Sequence, residues 1–280
     1  MIDADYLRPL LLKRENDSHK GDYGHLLIVA GCQTMPGAAV LTTGAALHSG
    51  CGLVTLHSTP RALQAVVQAF PSAMLSENPG GVFSHIPAFL DKYDAIAVGP
   101  GLGKASETAD ALHGLLVSAR DAMVPMLLDA DALNLLSGNP GWLSLIPAGS
   151  VMTPHLGELR RLISWNTEEE MIDAVRKLCE RTGCTVVVKG YHSRVFTPEG
   201  TCLVNTTGNP GMAKGGSGDV LTGLVGGLLA RGYAAWDAAA LGVWIHGFAG
   251  DALTQERTAE AWSSRDLIDH LYKGFKFLYG

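Results

Sequence analysis

The sequence predicts a single α/β domain in which helices cover both faces of a mostly parallel β-sheet. Short runs of consecutive apolar residues alternate along the 280-residue chain with segments that have a helical period. Strands that are apolar at consecutive positions belong to sheets buried on both faces, and their alternation with helices is typical of βαβ units. With 47% hydrophobic and only 17% charged residues, the chain is able to bury a large core.

The predicted strands and helices alternate over roughly the first two thirds of the chain. The strands are expected at residues 26–30, 53–57, 95–98, 126–128, 151–153 and 186–188. The helices between them are expected at residues 37–48, 60–69, 106–120, 132–136, 157–163 and 167–181. Each strand is therefore joined to the next by a helix, which is the usual connection between parallel strands.

The pattern changes after Lys189. Two short segments, residues 194–197 and 201–205, flank a Pro-Glu-Gly sequence that favours a tight turn, so a β-hairpin is predicted there. Helices are then expected at residues 217–231, 234–252 and 264–277. Because no linker, repeat or charge block interrupts the chain, residues 1–280 are predicted to form one domain.

The composition argues against several classes of protein. The net charge of −6 disfavours a general nucleic-acid binder but is compatible with a local anion site. Five cysteines without a C-x-x-C pair, and an acidic start that does not resemble a secretory signal, favour unpaired thiols in the cytoplasm. The longest uncharged apolar stretch, residues 220–230, is shorter than the ~20 residues that cross a bilayer. A soluble cytoplasmic protein is expected.

The strongest local signal is a glycine-rich segment, residues 208–219 (GNPGMAKGGSGD), which we call the glycine loop. An apolar helix follows it directly, so its backbone N–H groups and the positive end of the helix dipole predict a phosphate site. Asp219, which ends the loop, is positioned to accept a proton from a hydroxyl that attacks a phosphoryl group. The alternative is an ordinary glycine turn in which Ser217 or Asp219 caps the helix. Capping alone does not account for so many glycines.

Three further clusters follow predicted strands, where ligands bind in open α/β sheets. Residues 99–103 (GPGLG) form either part of a site or a plain strand-to-helix turn. Asp129 is equally consistent with a binding role and a structural one, whereas Asp131 is predicted to be the N-cap of the next helix. Residues 35–38 (MPGA) offer a wall for a flat ligand, or simply start a helix at their proline.

Another group of strand-end residues is polar. His155 and Glu158 follow the fifth predicted strand, and the carboxylate could hold Mg²⁺ through water or cap the following helix. Lys189 ends the sixth strand, where its cation could meet a nucleotide or could instead be solvated. No H-E-x-x-H or paired-cysteine metal motif is present. The scattered histidines, including His246, are expected to be structural.

Together these motifs resemble the ribokinase-like superfamily, in which a glycine loop forms an anion hole and its aspartate is the catalytic base. That superfamily usually has Asn at the start of its Asn-x-x-Glu motif, whereas this chain has His155. His155 at this position, together with the segments HKGDYG, MPGAA, GPGLG and DADALN, resembles the motifs of the ADP-dependent NAD(P)H-hydrate dehydratases. The match runs in order from about His19 to about Leu253, with Ser217 where the family commonly has Thr. It implies a ribokinase-like three-layer α/β/α sandwich with a mostly parallel central sheet.

The resemblance implies repair of hydrated nicotinamide cofactors. ADP would phosphorylate the hydroxyl of the S epimer of NADHX or NADPHX, and departure of phosphate would restore NADH or NADPH. Asp219 would be the catalytic base, and Mg²⁺ would bridge the phosphates with Glu158 as an indirect anchor through water. The substrate site would comprise Ala38, Gly101, Gly103, His155 and Asp219. The nucleotide site would comprise Lys189, Gly190, Tyr191, His192, Ser193, Asn209, Gly215, Gly216, Ser217 and Gly218.

Two other functions are compatible with part of this pattern. A small-molecule kinase of the same superfamily, acting on a thiazole or pyrimidine alcohol, would retain a phosphorylated product, but His155 and the MPGA segment favour the dehydratase. A non-catalytic nucleotide-binding sensor would have no use for a general base at Asp219. The resemblance also implies a homotetramer. The chain is too short for the epimerase domain that relatives often carry, so a separate epimerase is expected.

Overall fold

The computed structural model describes the whole chain, Met1–Gly280. The strands are β1 (His25–Val29), β2 (Leu53–Ser58), β3 (Met74–Glu77), β4 (Ala95–Val98), β5 (Met126–Leu128), β6 (Val151–Met152), β7 (Thr185–Val188), β8 (Arg194–Phe196) and β9 (Cys202–Val204). They form one nine-stranded sheet in the order β3-β2-β1-β4-β5-β6-β7-β8-β9. All neighbours from β3 to β7 pair in parallel, whereas the predicted hairpin adds β8 and β9 in antiparallel pairing.

Helices cover both faces of this sheet. They are α1 (Ala4–Leu7), α2 (Pro36–Leu47), α3 (Pro60–Ala69), α4 (Ser106–Asp121), α5 (Ala130–Gly138), α6 (Leu156–Leu162), α7 (Glu168–Thr182), α8 (Ser217–Ala230), α9 (Ala235–Glu256) and α10 (Ser264–Tyr279). One core lies between the sheet and α2, α3, α8, α9 and α10, and the other lies between the sheet and α4 to α7. The predicted three-layer α/β/α sandwich is therefore confirmed. No helix combines the length and the apolar character needed to span a membrane.

The sequence pattern did not predict the edge strand β3 or the short helix α1. The two apolar residues of β3 are partly exposed to solvent, Met74 at 39% and Leu75 at 43%. An edge strand that buries so little lacks the run of apolar residues that revealed the central strands. Strand β3 forms because its backbone pairs with β2, which the local sequence does not encode.

Helices α2 and α8 approach each other closely because α8 presents two glycines on one face. A Cβ atom on Gly223 would lie 2.0 Å from the Thr42 carbonyl oxygen, and one on Gly227 would lie 2.0 Å from Ser49 Oγ. Residues four apart occupy the same side of a helix, so larger side chains at either position would force the helices apart. The two helices run in parallel, and both begin at the carboxyl edge of the sheet.

The strand order reverses between β1 and β4. The chain proceeds outward from β1 to β2 and β3, and then returns to place β4 on the other side of β1. The loops that follow β1 and β4 are joined by a hydrogen bond from the Gly31 N–H to the Pro100 carbonyl at 2.8 Å. Such a switch point at the carboxyl edge of an open α/β sheet is a common location for a ligand.

Candidate active site

Polar side chains converge where three neighbouring parallel strands end. Asp129 directly follows β5, His155 lies beyond β6, and Lys189 directly follows β7. His155 and Lys189 form an isolated parallel bridge that continues the pairing of β6 with β7. Because parallel strands end at a common edge, residues that are distant in sequence meet there.

Lys189 and Asp129 form a nearly buried ion pair. Lys189 Nζ lies 2.6 Å from Asp129 Oδ1, and Thr222 Oγ1 donates to Asp129 Oδ2 at 2.8 Å. The Asp129 side chain is 2% exposed and that of Lys189 is 17% exposed, so the solvated alternative for Lys189 is wrong. A buried carboxylate requires such partners, and Asp129 in turn fixes the position of the cation.

The prediction that Asp131 caps α5 is wrong. The cap position belongs to Asp129, whose side chain makes no capping hydrogen bond because it is engaged with Lys189. Asp131 instead lies in the first turn of α5, where its Oδ2 accepts a hydrogen bond from the Gly103 N–H at 2.9 Å. The assignment failed because α5 begins at Ala130, with a single residue between the strand and the helix.

Glu158 does cap its helix, and it also faces the Lys189 cation. Its Oε2 accepts from the His155 N–H at 2.9 Å, while His155 Nδ1 accepts from the Glu158 N–H at 3.3 Å, which completes a capping box. The same Oε2 lies 3.9 Å from Lys189 Nζ. The capping interpretation is confirmed, and its role toward Mg²⁺ stays a prediction.

The glycine loop is held in place from α9 and from the start of α10. The Asp251 carboxylate accepts hydrogen bonds from the Gly208 N–H at 2.9 Å and from Asn209 Nδ2 at 2.8 Å. At the other end of the loop, Ser264 Oγ donates to the Gly215 carbonyl at 2.8 Å. These contacts fix the backbone on both sides of the glycines.

Neither Ser217 nor Asp219 caps α8, so that alternative is wrong. The cap position belongs to Gly216, which has no side chain and adopts φ +90°. A Cβ atom at Gly216 would lie 2.3 Å from Leu41 Cδ1, so both conformation and space require glycine. The N–H groups of Gly215, Gly216, Gly218 and Asp219 have no acceptor within the protein. Four unpaired donors at a helix N-terminus form a ready anion cradle.

Asp219 is a half-buried carboxyl group beside this cradle. Burial, reinforced by the negative charge of Asp129, raises the pKa of Asp219 to about 6. Lys189 opposes this rise in pKa, and Asp131 adds to it. A carboxyl with a pKa near neutrality is well suited to exchange protons at physiological pH.

A cavity of about 660 Å³ opens beside the glycine loop. Of the residues predicted for the nucleotide and substrate sites, it is lined by His155, Lys189, Gly190, Tyr191, His192, Ser193, Asn209, Ser217 and Gly218. Gly215 and Gly216 lie in the same loop but outside the cavity lining. A Cβ atom on Gly218 would lie 3.4 Å from Lys189 Nζ, so the loop and the cation face each other.

Known proteins are similar to this chain over most of its length. The family model of the NAD(P)H-hydrate dehydratases matches residues 26–273. The chain belongs to this family. The ADP-dependent (S)-NAD(P)H-hydrate dehydratase of Neisseria meningitidis is 38% identical over 248 residues, which are 86% of this chain and 81% of that protein. The bifunctional NAD(P)H-hydrate repair enzyme Nnr of Moorella thermoacetica is 36% identical over 97% of this chain, which spans about half (53%) of that relative.

Solved structures of the dehydratase family share the fold. The Bacillus subtilis ADP/ATP-dependent NAD(P)H-hydrate dehydratase, co-crystallised with ATP and Mg²⁺, superposes with a TM-score of 0.83 at 28% identity. The superposition covers 99% of this chain and 97% of that one. Arabidopsis thaliana ribokinase superposes with a TM-score of 0.59 at 14% identity over 91% of this chain, a likeness of fold alone. The predicted ribokinase-like fold is confirmed.

The remaining substrate residues expected for a dehydratase lie at the switch point between β1 and β4, outside the lining of the cavity. A Cβ atom on Gly101 would lie 2.7 Å from Ala38 Cβ, so these two residues are in contact. Nearby, the Gly103 N–H donates a hydrogen bond to the Asp131 carboxylate. The sequence-predicted residues thus form two groups along one sheet edge.

His246, predicted from the sequence to be structural, lines the cavity beneath the glycine loop. Its Nε2 lies 2.9 Å from the Ser217 carbonyl oxygen and 3.4 Å from Ser217 Oγ. Burial lowers the pKa of His246 to about 4, so the neutral ring donates to that carbonyl. Neither His246 nor Asp251 is part of a motif, and only the packing of α9 against α8 brings them to the candidate site.

Proposed function

We propose that the protein converts the S epimer of NADHX or NADPHX into NADH or NADPH, using ADP and releasing AMP and phosphate. The observation that carries the proposal is Asp219, a carboxyl with a pKa of about 6 next to four unpaired N–H groups. A base beside an anion cradle is what phosphoryl transfer to a hydroxyl requires. The name of the Neisseria relative supports the same reaction.

Phosphorylation would solve a leaving-group problem. Hydroxide leaves poorly from the hydrated ring, whereas phosphate leaves well. Asp219 takes the hydroxyl proton as the hydroxyl oxygen attacks the β-phosphorus of ADP, and the bond from that phosphorus to the oxygen of AMP breaks. The lone pair of the ring nitrogen then expels phosphate. Loss of a proton from the neighbouring ring carbon restores NADH or NADPH.

The glycine loop would stabilise the charge of the transferring phosphoryl group. Its unpaired N–H groups are already oriented by the anchors at Asp251 and Ser264, so no reorganisation is needed during the reaction. Lys189 adds a positive charge at the same edge. The adenine would lie against residues 189–193, where the rings of Tyr191 and His192 are 3.9 Å apart and Tyr191 is 74% exposed.

The hydrated nicotinamide would occupy the switch point. Ala38 and Gly101 provide small surfaces there, which leave space for a flat ring. Asp219 ends the glycine loop, so the hydroxyl of the substrate would meet it beside the phosphate of ADP. His155, at the rim of the cavity, would contact the substrate from the β6 side.

Mg²⁺ is proposed as the metal that accompanies the nucleotide. No group of three or more His, Cys, Asp or Glu side chains could hold a metal ion without other ligands. Mg²⁺ usually retains several waters and binds through phosphates and one or two carboxylates, a limited role that the nearly buried Glu158 fits through water. Bound Mg²⁺ would neutralise phosphate charge.

We further propose that the protein acts in the cytoplasm as a homotetramer and works with a NAD(P)HX epimerase that supplies the S epimer. The bifunctional names of several relatives support a coupling to a second repair activity. The weakly charged, glycine-rich helices are compatible with close subunit packing. Light scattering of the purified protein measures the oligomeric state directly.

The test of the main proposal combines the protein, ADP, Mg²⁺ and S-NADHX. We expect the near-ultraviolet absorbance of NADH to appear together with an equal amount of inorganic phosphate. A stable phosphorylated product without NADH would indicate a small-molecule kinase, and no reaction of S-NADHX would refute the proposal. Side-by-side initial rates with ADP and ATP test the donor, and we expect ADP to be faster.

A further inference from the structure

A second cavity, of about 570 Å³, lies at the end of the molecule opposite the glycine loop. It is formed by the segment before β1, the C-terminal ends of α2 and α8, and α10. Its lining residues are Lys13, Arg14, His48, Ser49, Gly50, Arg231, Phe275 and Tyr279. Helix α8 has 14 residues, and at about 1.5 Å per residue it separates this cavity from the glycine loop by roughly 20 Å.

This cavity, which we call the cation pocket, contains three side chains that carry a permanent positive charge and none that is acidic. Lys13, Arg14 and Arg231 form no ion pair with a carboxylate anywhere in the protein. The chain as a whole carries a net charge of −6. Local accumulation of unpaired cations creates a positive potential, which favours the binding of an anion.

Arg231 is the buried centre of the pocket, at 9% exposure. Its Nη2 donates to the Leu12 carbonyl at 2.6 Å, but its Nε is buried without any partner and its Nη1 donates to no group of the protein. A Cβ atom on Gly50, which has φ +89°, would lie 2.7 Å from Arg231 Nη1. Because Gly50 has no side chain, the Arg231 guanidinium has space at the pocket.

Arg14 is fixed in place beside it. Arg14 Nη2 donates to the Gly50 carbonyl at 2.7 Å, and its guanidinium carbon lies 3.9 Å from the centre of the Tyr23 ring. Cations near helix C-termini often serve only to satisfy free carbonyl groups. Here each arginine donates only one hydrogen bond to a carbonyl group. Because a guanidinium has five N–H donors, each arginine retains donors for a ligand.

We propose that the cation pocket binds a small organic phosphate. Guanidinium groups bind phosphate oxygens through paired N–H donors, so Arg14 and Arg231 would hold the phosphate and Lys13 would add charge at the rim. The aromatic rings of Phe275 and Tyr279 form the rest of the wall and would pack against an apolar or planar portion of the ligand.

The test uses phenyl phosphate, which combines a phosphate group with one ring, and isothermal titration calorimetry. The protein is used without nucleotide, because ADP is itself an organic phosphate and would compete for the pocket. We expect phenyl phosphate to bind with an affinity that falls as salt is raised, and phenol, which lacks the charge, not to bind. No binding of phenyl phosphate would overturn the proposal.

Variants assign the binding event to the pocket. The test variant combines Lys13→Ser, which alters an exposed side chain, with Arg14→Gln, which removes the guanidinium. This double variant is expected to bind phenyl phosphate about ten-fold more weakly or worse, because charge-assisted contacts are lost. The matched control is Arg120→Gln with Lys177→Ser, which removes the same charge from exposed positions on the opposite helical layer. Equal affinity in wild type and in both double variants would overturn the proposal. Because binding alone is measured, the result is independent of dehydratase activity.

Discussion

Lys189 Nζ lies 2.6 Å from Asp129 Oδ1, although the two residues are 60 positions apart in the sequence. The pair connects the end of β7 with the end of β5, and both charges act on Asp219. Asp129 raises the pKa of that carboxyl and Lys189 lowers it, while burial makes the largest contribution to the rise. The ion pair therefore adjusts the pKa of the proposed base, and one variant of each of its two members separates these contributions.

Asp219→Asn is expected to lower turnover by about 10²–10⁴-fold, which is the usual contribution of a general base. Nucleotide affinity should change little, because the backbone cradle remains intact. The measurement is the rate of NADH formation together with the Kd for ADP. Asp237→Asn is the matched control, since Asp237 is a partly buried carboxyl outside the site whose pKa burial also raises. Wild-type turnover in Asp219→Asn would exclude Asp219 from the mechanism.

The pH dependence of kcat/KM is expected to follow the pKa of Asp219. A protonated carboxyl cannot accept the hydroxyl proton, so activity should rise with pH through about 6 and then level off. Lys189→Met should move this limb to higher pH because a charge that lowers the pKa is lost. Asp129→Asn should move it to lower pH because a charge that raises the pKa is lost. Shifts of the two variants in the same direction would contradict this assignment of charges.

The Asp219 carboxyl is expected to destabilise the folded protein at neutral pH. The pKa of Asp219 rises from an ordinary value of 3.8 in the unfolded chain to about 6 in the fold. As pH increases between these values, the unfolded chain releases the proton first, so the free energy of unfolding falls. Above about pH 6, Asp219→Asn should be more stable than wild type by on the order of 2 kcal/mol. Below the unfolded pKa the difference should vanish, and thermal unfolding across pH tests this.

Much of the site could be predicted from sequence because its signals are local. The glycine loop, Lys189 and the His155–Glu158 pair each follow from residue types next to a strand or helix end. His246 and Asp251 could not be found in this way, because only the packing of α9 under α8 brings them to the loop.

The N-cap of α5 and the edge strand β3 could not be predicted, because both depend on contacts between residues distant in the sequence. Asp131 satisfies the usual pattern of an N-cap, but Asp129 occupies that position in the structure, and its side chain is paired with Lys189. The edge strand β3 exposes its apolar residues and so lacks the signal that identified the buried strands. In each case a tertiary partner overrides a local preference.

Gly216→Ala is expected to damage both stability and nucleotide binding. The added Cβ would lie 2.3 Å from Leu41 Cδ1, and the residue would have to retain φ +90°. A loss of about 2 kcal/mol in the free energy of unfolding is expected from strain and overpacking. Gly215→Ala is the matched control, because a Cβ there meets nothing within 4 Å. Equal unfolding midpoints for the two variants would show that the loop tolerates a side chain at Gly216.

His246 is expected to support nucleotide binding through the carbonyl of Ser217. Burial lowers the pKa of His246 to about 4, so the imidazole is neutral at physiological pH and donates from Nε2 at 2.9 Å. His246→Phe leaves that buried carbonyl without its donor, at a cost of about 1–3 kcal/mol, and should weaken ADP binding by about ten-fold. His246→Gln retains an N–H donor and should recover most of the affinity. His113→Phe, on exposed surface of α4, is the control and should bind ADP as wild type does. Equal loss of affinity in the Phe and Gln variants of His246 would mean that ring packing, rather than this hydrogen bond, positions the loop.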